Sequence, residues 1–481
     1  MNEEKLLEKA VSFCTGQGVE YADARFVSWE EESLVQSNGV IENINRNTNS
    51  GIGVRVLLKG AWGFAATLSQ DEKNIIQACE SAVAMAQVSA PLSLHSIDLK
   101  KMPKATGTYS SRRDKDPFKV PLSEKVDLLN ALHGELIKNK TIKLTDAYLH
   151  FAKVNKHFLN SEGSCVQNSW TESGIEYAAK AQNEKDTQSR HLIGWHGGNV
   201  KKRGWEWIEE QNLVSQAERV AAEAEALLKA PSCPTKKTTV ILHSSQMALQ
   251  VHESVGHPLE LDRIFGSEAS YAGRSFVNPD MRGTFQYAAP IVNITLDSTI
   301  PNELGTCGFD DDGVPAQRVP LIKKGILQNF LTSREYAAKI GLPSNACNIA
   351  SSWNRLPVIR MTGVHLEPGD ISFEKLLEST EDGIYMETNK SWSIDDVRLN
   401  FQFGCEWARE IKNGKLGKIY KNPNYQGITP EFWKSCTGIA DKKSWRVWGI
   451  PNCGKGEPGQ TGRVCHGASP ARFQNVAVFG T

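Results

Sequence analysis

The chain has 481 residues, and its 55 Lys plus Arg balance 55 Asp plus Glu, so the formal net charge is zero. That balance lacks the basic excess of a nucleic-acid-coating surface, and 40% hydrophobic residues exclude disorder as the main state. No run reaches the roughly 18 apolar residues of a membrane helix. The opening MNEEKLLEKAVSF is acidic and amphipathic, without the basic segment and apolar run of a secretion signal. Ten scattered cysteines fit reduced thiols better than a disulfide framework. A cytoplasmic protein with no membrane or nucleic-acid partner is expected.

In chain order, Leu6, Leu7, Ala10, Val11 and Cys14 recur at helical spacing before Gly16 and Gly18. Strand-like runs follow at 21–29, 51–58 and 61–68, the last two joined by a tight hairpin at Lys59-Gly60. Residues 71–88 read as a helix capped by Asp71 or Ser69. Residues 99–120, rich in Lys, Arg, Pro, Ser and Asp, read as a surface loop. A helix is expected over 122–138, then short strand-like runs over 146–196, then a long helix over 213–229. Pro231 and Pro234 follow that helix and mark the domain boundary. The second region opens with the strand TTVILH and the helix SQMALQVHESVG, and continues mostly as strands and turns, with a hairpin at Lys324-Gly325 and short helices at 334–340 and 372–380. The fold class is therefore α+β in two domains, a mixed N-terminal domain over 1–230 and a C-terminal domain over 231–481 dominated by antiparallel sheet and carrying the helix SQMALQVHESVG.

Residues 251–258 read VHESVGHP. On a straight α-helix, residues four apart lie about 40° apart around the axis and residues five apart about 140°. His252 and His257 would diverge on such a helix. Gly256 can end the helix and Pro258 disfavours the α conformation at His257, so His257 is expected just past the helix end, turned back toward His252. A catalytic zinc takes three protein ligands and leaves one position for water. Glu253, beside the first histidine, is placed to accept the proton from that water. The motif does not name the third ligand; His, Asp, Glu or Cys would serve. An amphipathic helix that carries these residues without a metal is the plain alternative.

The segment HESVGHPLELDRIFGSEASYAGRSFV resembles the metal motif of the TldD branch of the TldD/PmbA family, once described as modulators of DNA gyrase. The likeness continues through FDDDGVPAQRVPLIKKGILQNFL, DGIYMETNKSWSIDDVRLNFQF and CGKGEPGQTGRV, and more weakly through GIGVRVLLKGAWGFAAT. The resemblance implies a zinc metallopeptidase with an HExxxH motif, one zinc per chain, and Cys453 in the CGK segment as third ligand beside His252 and His257. Cys465, followed by His466, is the rival. It also implies a dimer, with an identical chain or with a TldE/PmbA-type relative that lacks the motif, enclosing a site for peptides or unfolded polypeptides. The N-terminal half would supply scaffold, dimer contacts and cavity wall.

Glu260 and Asp262 are expected either to orient a ligand imidazole or to form a surface ion pair. Arg360 is a candidate for a substrate carboxylate or carbonyl. Asp310, Asp311 and Asp312 are spaced for a turn rather than a calcium loop. His243 and His365 are not expected to be ligands, Cys405 and Cys436 are expected to be structural, and Trp205 and Trp207 are expected to pack a core. A regulatory binding protein of the gyrase-modulator kind, with a structural or vestigial zinc site, is the competing reading, and an intact Glu253 argues against it.

Overall fold

The computed structural model describes residues 3–93, 95–192 and 199–480. The architecture is α+β. Strands up to Leu192 build one twisted seven-stranded sheet. Its centre is three long antiparallel strands, Tyr21–Ser37, Ile142–Asn160 and Cys165–Gln182. Val40–Leu58 and Ala61–Thr67 extend it on one side. The Lys59-Gly60 turn has both residues at positive φ, 51° and 71°, as a two-residue hairpin requires. Helix Glu72–Ser89 is capped by the Asp71 side chain, which accepts from the Asn74 amide. The expected loop over 99–120 contains a short strand, Thr106–Ser110, which pairs in parallel with the start of Cys165–Gln182. Its mostly exposed TGTYS sequence has no apolar alternation, so nothing in the pattern marked it. The short runs expected over 146–196 merge into two strands of 19 and 18 residues plus Thr187–Leu192; residues 193–196 lie outside the described residues. Helix Leu213–Lys229 packs Val220, Ala221, Ala224 and other apolar residues into the core that holds Trp205, with Trp207 against it.

From Lys236 onward the strands form separate sheets. Five of them close on themselves: Asp382–Ile394, Lys236–Leu242, Ala471–Gly480, Pro423–Ile428 and Asn400–Lys412 pair in that order, and the last pairs back with the first. Helix Ser244–Val251 leaves the end of Lys236–Leu242 and is buried along its whole length except Ser245. Two of its polar side chains share one buried partner. Gln246 donates to the Tyr425 hydroxyl at 3.0 Å, and that hydroxyl donates to Gln250 at 2.8 Å. This buried network holds the helix in one rotational setting.

The two halves are joined by buried charges. Asp312 accepts from Arg55 at 2.7 Å, and Arg55 also holds Asp23. Asp311 pairs with Lys156 at 3.0 Å. Asp310 accepts from the amides of Asp312, Val314 and Asn348. The acidic triplet is thus a turn, as expected, and additionally a clamp onto the N-terminal sheet. Among the described residues no helix is long and apolar enough to cross a membrane.

Candidate metal centre

The helix does not stop before the second histidine. Ser244–Val251 is α-helical, and His252–Gly256 forms a π turn in which the His257 amide donates to the His252 carbonyl. His257 keeps α-region dihedrals (φ −58°, ψ −43°) despite the proline after it. The expectation that Gly256 ends the helix and Pro258 expels His257 is therefore corrected. The i→i+5 bond widens one turn by a residue, and that brings residue i+5 over residue i. Gly256 serves close packing instead: a Cβ there would lie 2.2 Å from the Met361 sulfur.

The two rings meet at 4.9 Å between centroids, at 86° to one another. Cys453, on strand Arg446–Lys455, places its Sγ 3.3 Å from His252 Nε2 and 3.6 Å from His257 Nε2. A tetrahedral zinc with bonds of about 2.3 Å to sulfur and 2.0–2.1 Å to nitrogen separates S and N by about 3.5 Å. Each of the three residues is at most 5% exposed.

Hydrogen bonds fix which nitrogen faces the centre. His466 Nδ1 lies 2.9 Å from the Val364 carbonyl, which only accepts, so His466 Nε2 is bare and accepts from His252 Nδ1 at 2.8 Å. His257 Nδ1 donates to Glu260 at 2.9 Å. Both Nε2 atoms therefore present lone pairs toward Cys453, whose single S–H can satisfy only one of them. A cation resolves this arrangement, and the donor set of two imidazoles and a thiolate suits zinc. Burial brings His252 down to about 4 and His257 well below its ordinary value, so both are neutral donors near pH 7. Burial pushes the Cys453 thiol up to about 11, so metal binding must displace its proton.

Glu260 belongs to a fully buried charge cluster. Lys455 Nζ lies 2.8 Å from Asp262, 3.1 Å from Glu260 and 3.4 Å from Glu268, and Arg263 pairs with Glu268 at 2.9 Å. Burial alone would raise Glu260, but Lys455, His257 and Arg263 together hold its carboxyl well below the usual range. The surface ion pair considered for Glu260 and Asp262 is excluded by their burial, 0% and 4% exposed. Glu253, 5% exposed, accepts from Arg398 Nη1 at 2.5 Å.

Cys465 lies outside the cluster, against the Thr362 carbonyl at 3.5 Å, and His466 backs His252 without joining the ligand triangle. Arg360, expected at a substrate carboxylate or carbonyl, is 1% exposed and donates through Nη2 to the carbonyl of Cys453. It supports the ligand strand, and Gly462 makes room: a Cβ there would meet the guanidinium at 2.3 Å. His365 donates to the Asp297 carbonyl at 3.1 Å and accepts from the Gly467 amide at 2.6 Å, and His243 caps helix Ser244–Val251. Sequence reasoning missed Lys455, Arg398 and the role of His466; a basic residue inside the CGK segment was the only signal for the first.

The profile of the PmbA/TldA metallopeptidase C-terminal domain matches residues 235–480, that of domain 1 matches 22–86, and that of the central domain matches 115–228. A protein of Methanothermobacter thermautotrophicus called a metalloprotease is 28% identical over 464 residues, 96% of each chain. A zinc metalloprotease TldD homolog of Saccharolobus solfataricus is 22% identical over 474 residues, covering 96% of this chain and 97% of its own. Two crystal structures share the fold: TldE from Thermococcus kodakarensis (TM-score 0.75, 15% identity, 99% of both chains), and a Thermotoga maritima protein described as a candidate modulator of a DNA gyrase (TM-score 0.77, 17% identity, 99% of this chain and 100% of that one). With profiles from all three domains in order along it, the chain belongs to the PmbA/TldD metallopeptidase family.

Proposed function

We propose that the protein is a zinc-dependent peptidase acting on peptides or unfolded segments. The observation that carries this reading is the pair of bare Nε2 atoms facing Cys453, with a buried carboxylate, Glu253, next in sequence to the first of them. When bound, zinc supplies Lewis acidity to the scissile carbonyl and lowers the pKa of water. His252, His257 and Cys453 hold the ion, one per chain. His466 and Glu260 fix the ring orientations. Glu253 accepts the proton from the attacking water and delivers it to the leaving amine. Arg398 holds the Glu253 carboxylate in place. Strand Arg446–Lys455, which carries Cys453, pairs with Gln460–Ala468, and its other edge is held by Asn199 at the Gly449 amide and by Lys201 at the Val447 carbonyl.

The active assembly in this reading is a dimer, of identical chains or with a TldE/PmbA-type relative, and residues 1–230 act as scaffold, dimer contact and cavity wall. Ten unbridged cysteines suit the cytoplasm. The competing reading, a gyrase-modulator-type binding protein with a structural or vestigial zinc, has no use for a buried carboxylate beside the first ligand.

The test is zinc content and cleavage of unfolded peptides by the purified chain, alone and with a TldE-type partner. About one zinc per chain at this centre and metal-dependent cleavage are expected. Zinc-loaded protein that cleaves nothing, partner present, overturns the peptidase reading.

A further inference from the structure

A second group of metal-ligating side chains lies away from the candidate metal centre, on the N-terminal sheet. His157 is on strand Ile142–Asn160 and Cys165 begins strand Cys165–Gln182. The register pairs His157 with Gln167 and Leu159 with Cys165. Residues two apart on a strand share a face, so His157 and Cys165 are diagonal neighbours on one face. Glu4, in the first turn of helix Glu3–Gly16, reaches the same point.

Cys165 Sγ lies 3.5 Å from His157 Nε2 and 3.7 Å from Glu4 Oε1, and the three donor atoms are all within 4.8 Å of one another. These separations match the roughly 3.5 Å expected between sulfur and nitrogen or oxygen around a tetrahedral zinc. They also match the 3.3 and 3.6 Å of the His252–His257–Cys453 triangle. The Gln167 side-chain amide lies 3.4 Å from the same His157 nitrogen and would give way to an ion there. Helix Glu3–Gly16 is seated by Leu6, Leu7, Ala10, Val11 and Cys14, all buried, so the position of Glu4 is set by core packing. His157 is 4% exposed, whereas Glu4 and Cys165 are half-buried, which leaves a face open for entry of an ion and for a water as fourth ligand.

We propose that Glu4, His157 and Cys165 form a second metal site, for zinc or a divalent cation of similar preference such as cobalt, which staples the first helix to the central sheet. Thiolate and imidazole favour such ions over magnesium or calcium. Bound only by the folded chain, the ion stabilises it by mass action. The site is independent of the peptidase reading, since none of its residues belongs to the other centre.

Full-length protein without a polyhistidine tag, stripped by chelator, is titrated with Co²⁺ and separately loaded with Zn²⁺. Two equivalents of zinc are expected in wild type and one in Cys165→Ser. Cys453→Ala should keep one equivalent and a sulfur-to-cobalt charge-transfer band, which the added Cys165→Ser change removes. Glu4→Gln, a partly exposed change that leaves the core intact, should weaken the second equivalent at least tenfold and remove the metal-dependent rise in Tm. A stoichiometry that Cys165→Ser and Glu4→Gln both leave unchanged overturns the proposal. So does a Cys453→Ala chain that binds no cobalt, or one whose band survives Cys165→Ser.

Discussion

Replacing Glu253 by Gln tests the chemistry with little disturbance of the structure. Gln is nearly isosteric and keeps an oxygen that can accept from Arg398 Nη1, now 2.5 Å away. The pair is largely shielded, with side chains 6% and 13% exposed. Exchanging a charge-assisted for a neutral hydrogen bond there costs about 1 kcal/mol of stability. His252, His257, Cys453 and their partners His466 and Glu260 are untouched, so zinc content should stay within error of wild type. The variant cannot accept a proton. A positioned base contributes roughly 10²–10⁴ in rate, about 3–5 kcal/mol of barrier. Single-turnover cleavage of an unfolded peptide, measured with zinc content on the same sample, should therefore fall at least about a hundredfold. Cleavage within about threefold of wild type at full zinc occupancy would refute Glu253 as the base. Loss of zinc along with activity would refute the claim that the carboxylate stands apart from the ligand set.

Further outcomes follow from the same geometry. Cys453→Ala should empty the buried centre while Cys465→Ala leaves it filled, and His466→Ala should weaken zinc there by about 10–100-fold with the fold intact, because His252 Nδ1 loses its acceptor; competition with a chelator reads all three. Lys455→Met should destabilise the chain by about 3–5 kcal/mol in denaturant titration, since it takes the ammonium away from buried Glu260, Asp262 and Glu268 and leaves Arg263 beside Glu260 and Glu268 alone. His365 is held neutral, down to about 4, chiefly by burial, and its Nδ1 must stay bare to accept from Gly467. Its folded pKa is below the unfolded value of about 6.5, so the unfolded chain binds more protons in between; about 3 kcal/mol of stability present above pH 6.5 is lost as pH falls toward 4. His365→Gln should flatten that part of the pH–stability curve, and an unchanged slope would contradict the assignment.

The sequence by itself determined much of this protein. Helical periodicity placed Glu72–Ser89 and Leu213–Lys229 within a residue or so, because apolar stripes and an Asp cap are local signals. Gly after Lys at 60 and 325 located two hairpins, since only a two-residue turn needs positive φ at both positions. VHESVGHP and CGK marked the three residues that the structure brings together. Tertiary structure decided the rest. The π turn that aligns His252 with His257 has no sequence signature; it is held by packing of Gly256 under Met361 and by the buried bonds of Gln250, Ser254 and Trp433. That Cys453 rather than Cys465 sits beside the two histidines depends on which face of a two-stranded ribbon meets the helix: the register shifts between Ile450 and Cys453, while Cys465 turns to Thr362. Lys455, Arg398, His466 and the Arg55–Asp312 clamp pair residues from 145 to 257 positions apart, and the hydrogen bonds that define them exist only once distant segments are packed and water is excluded between them.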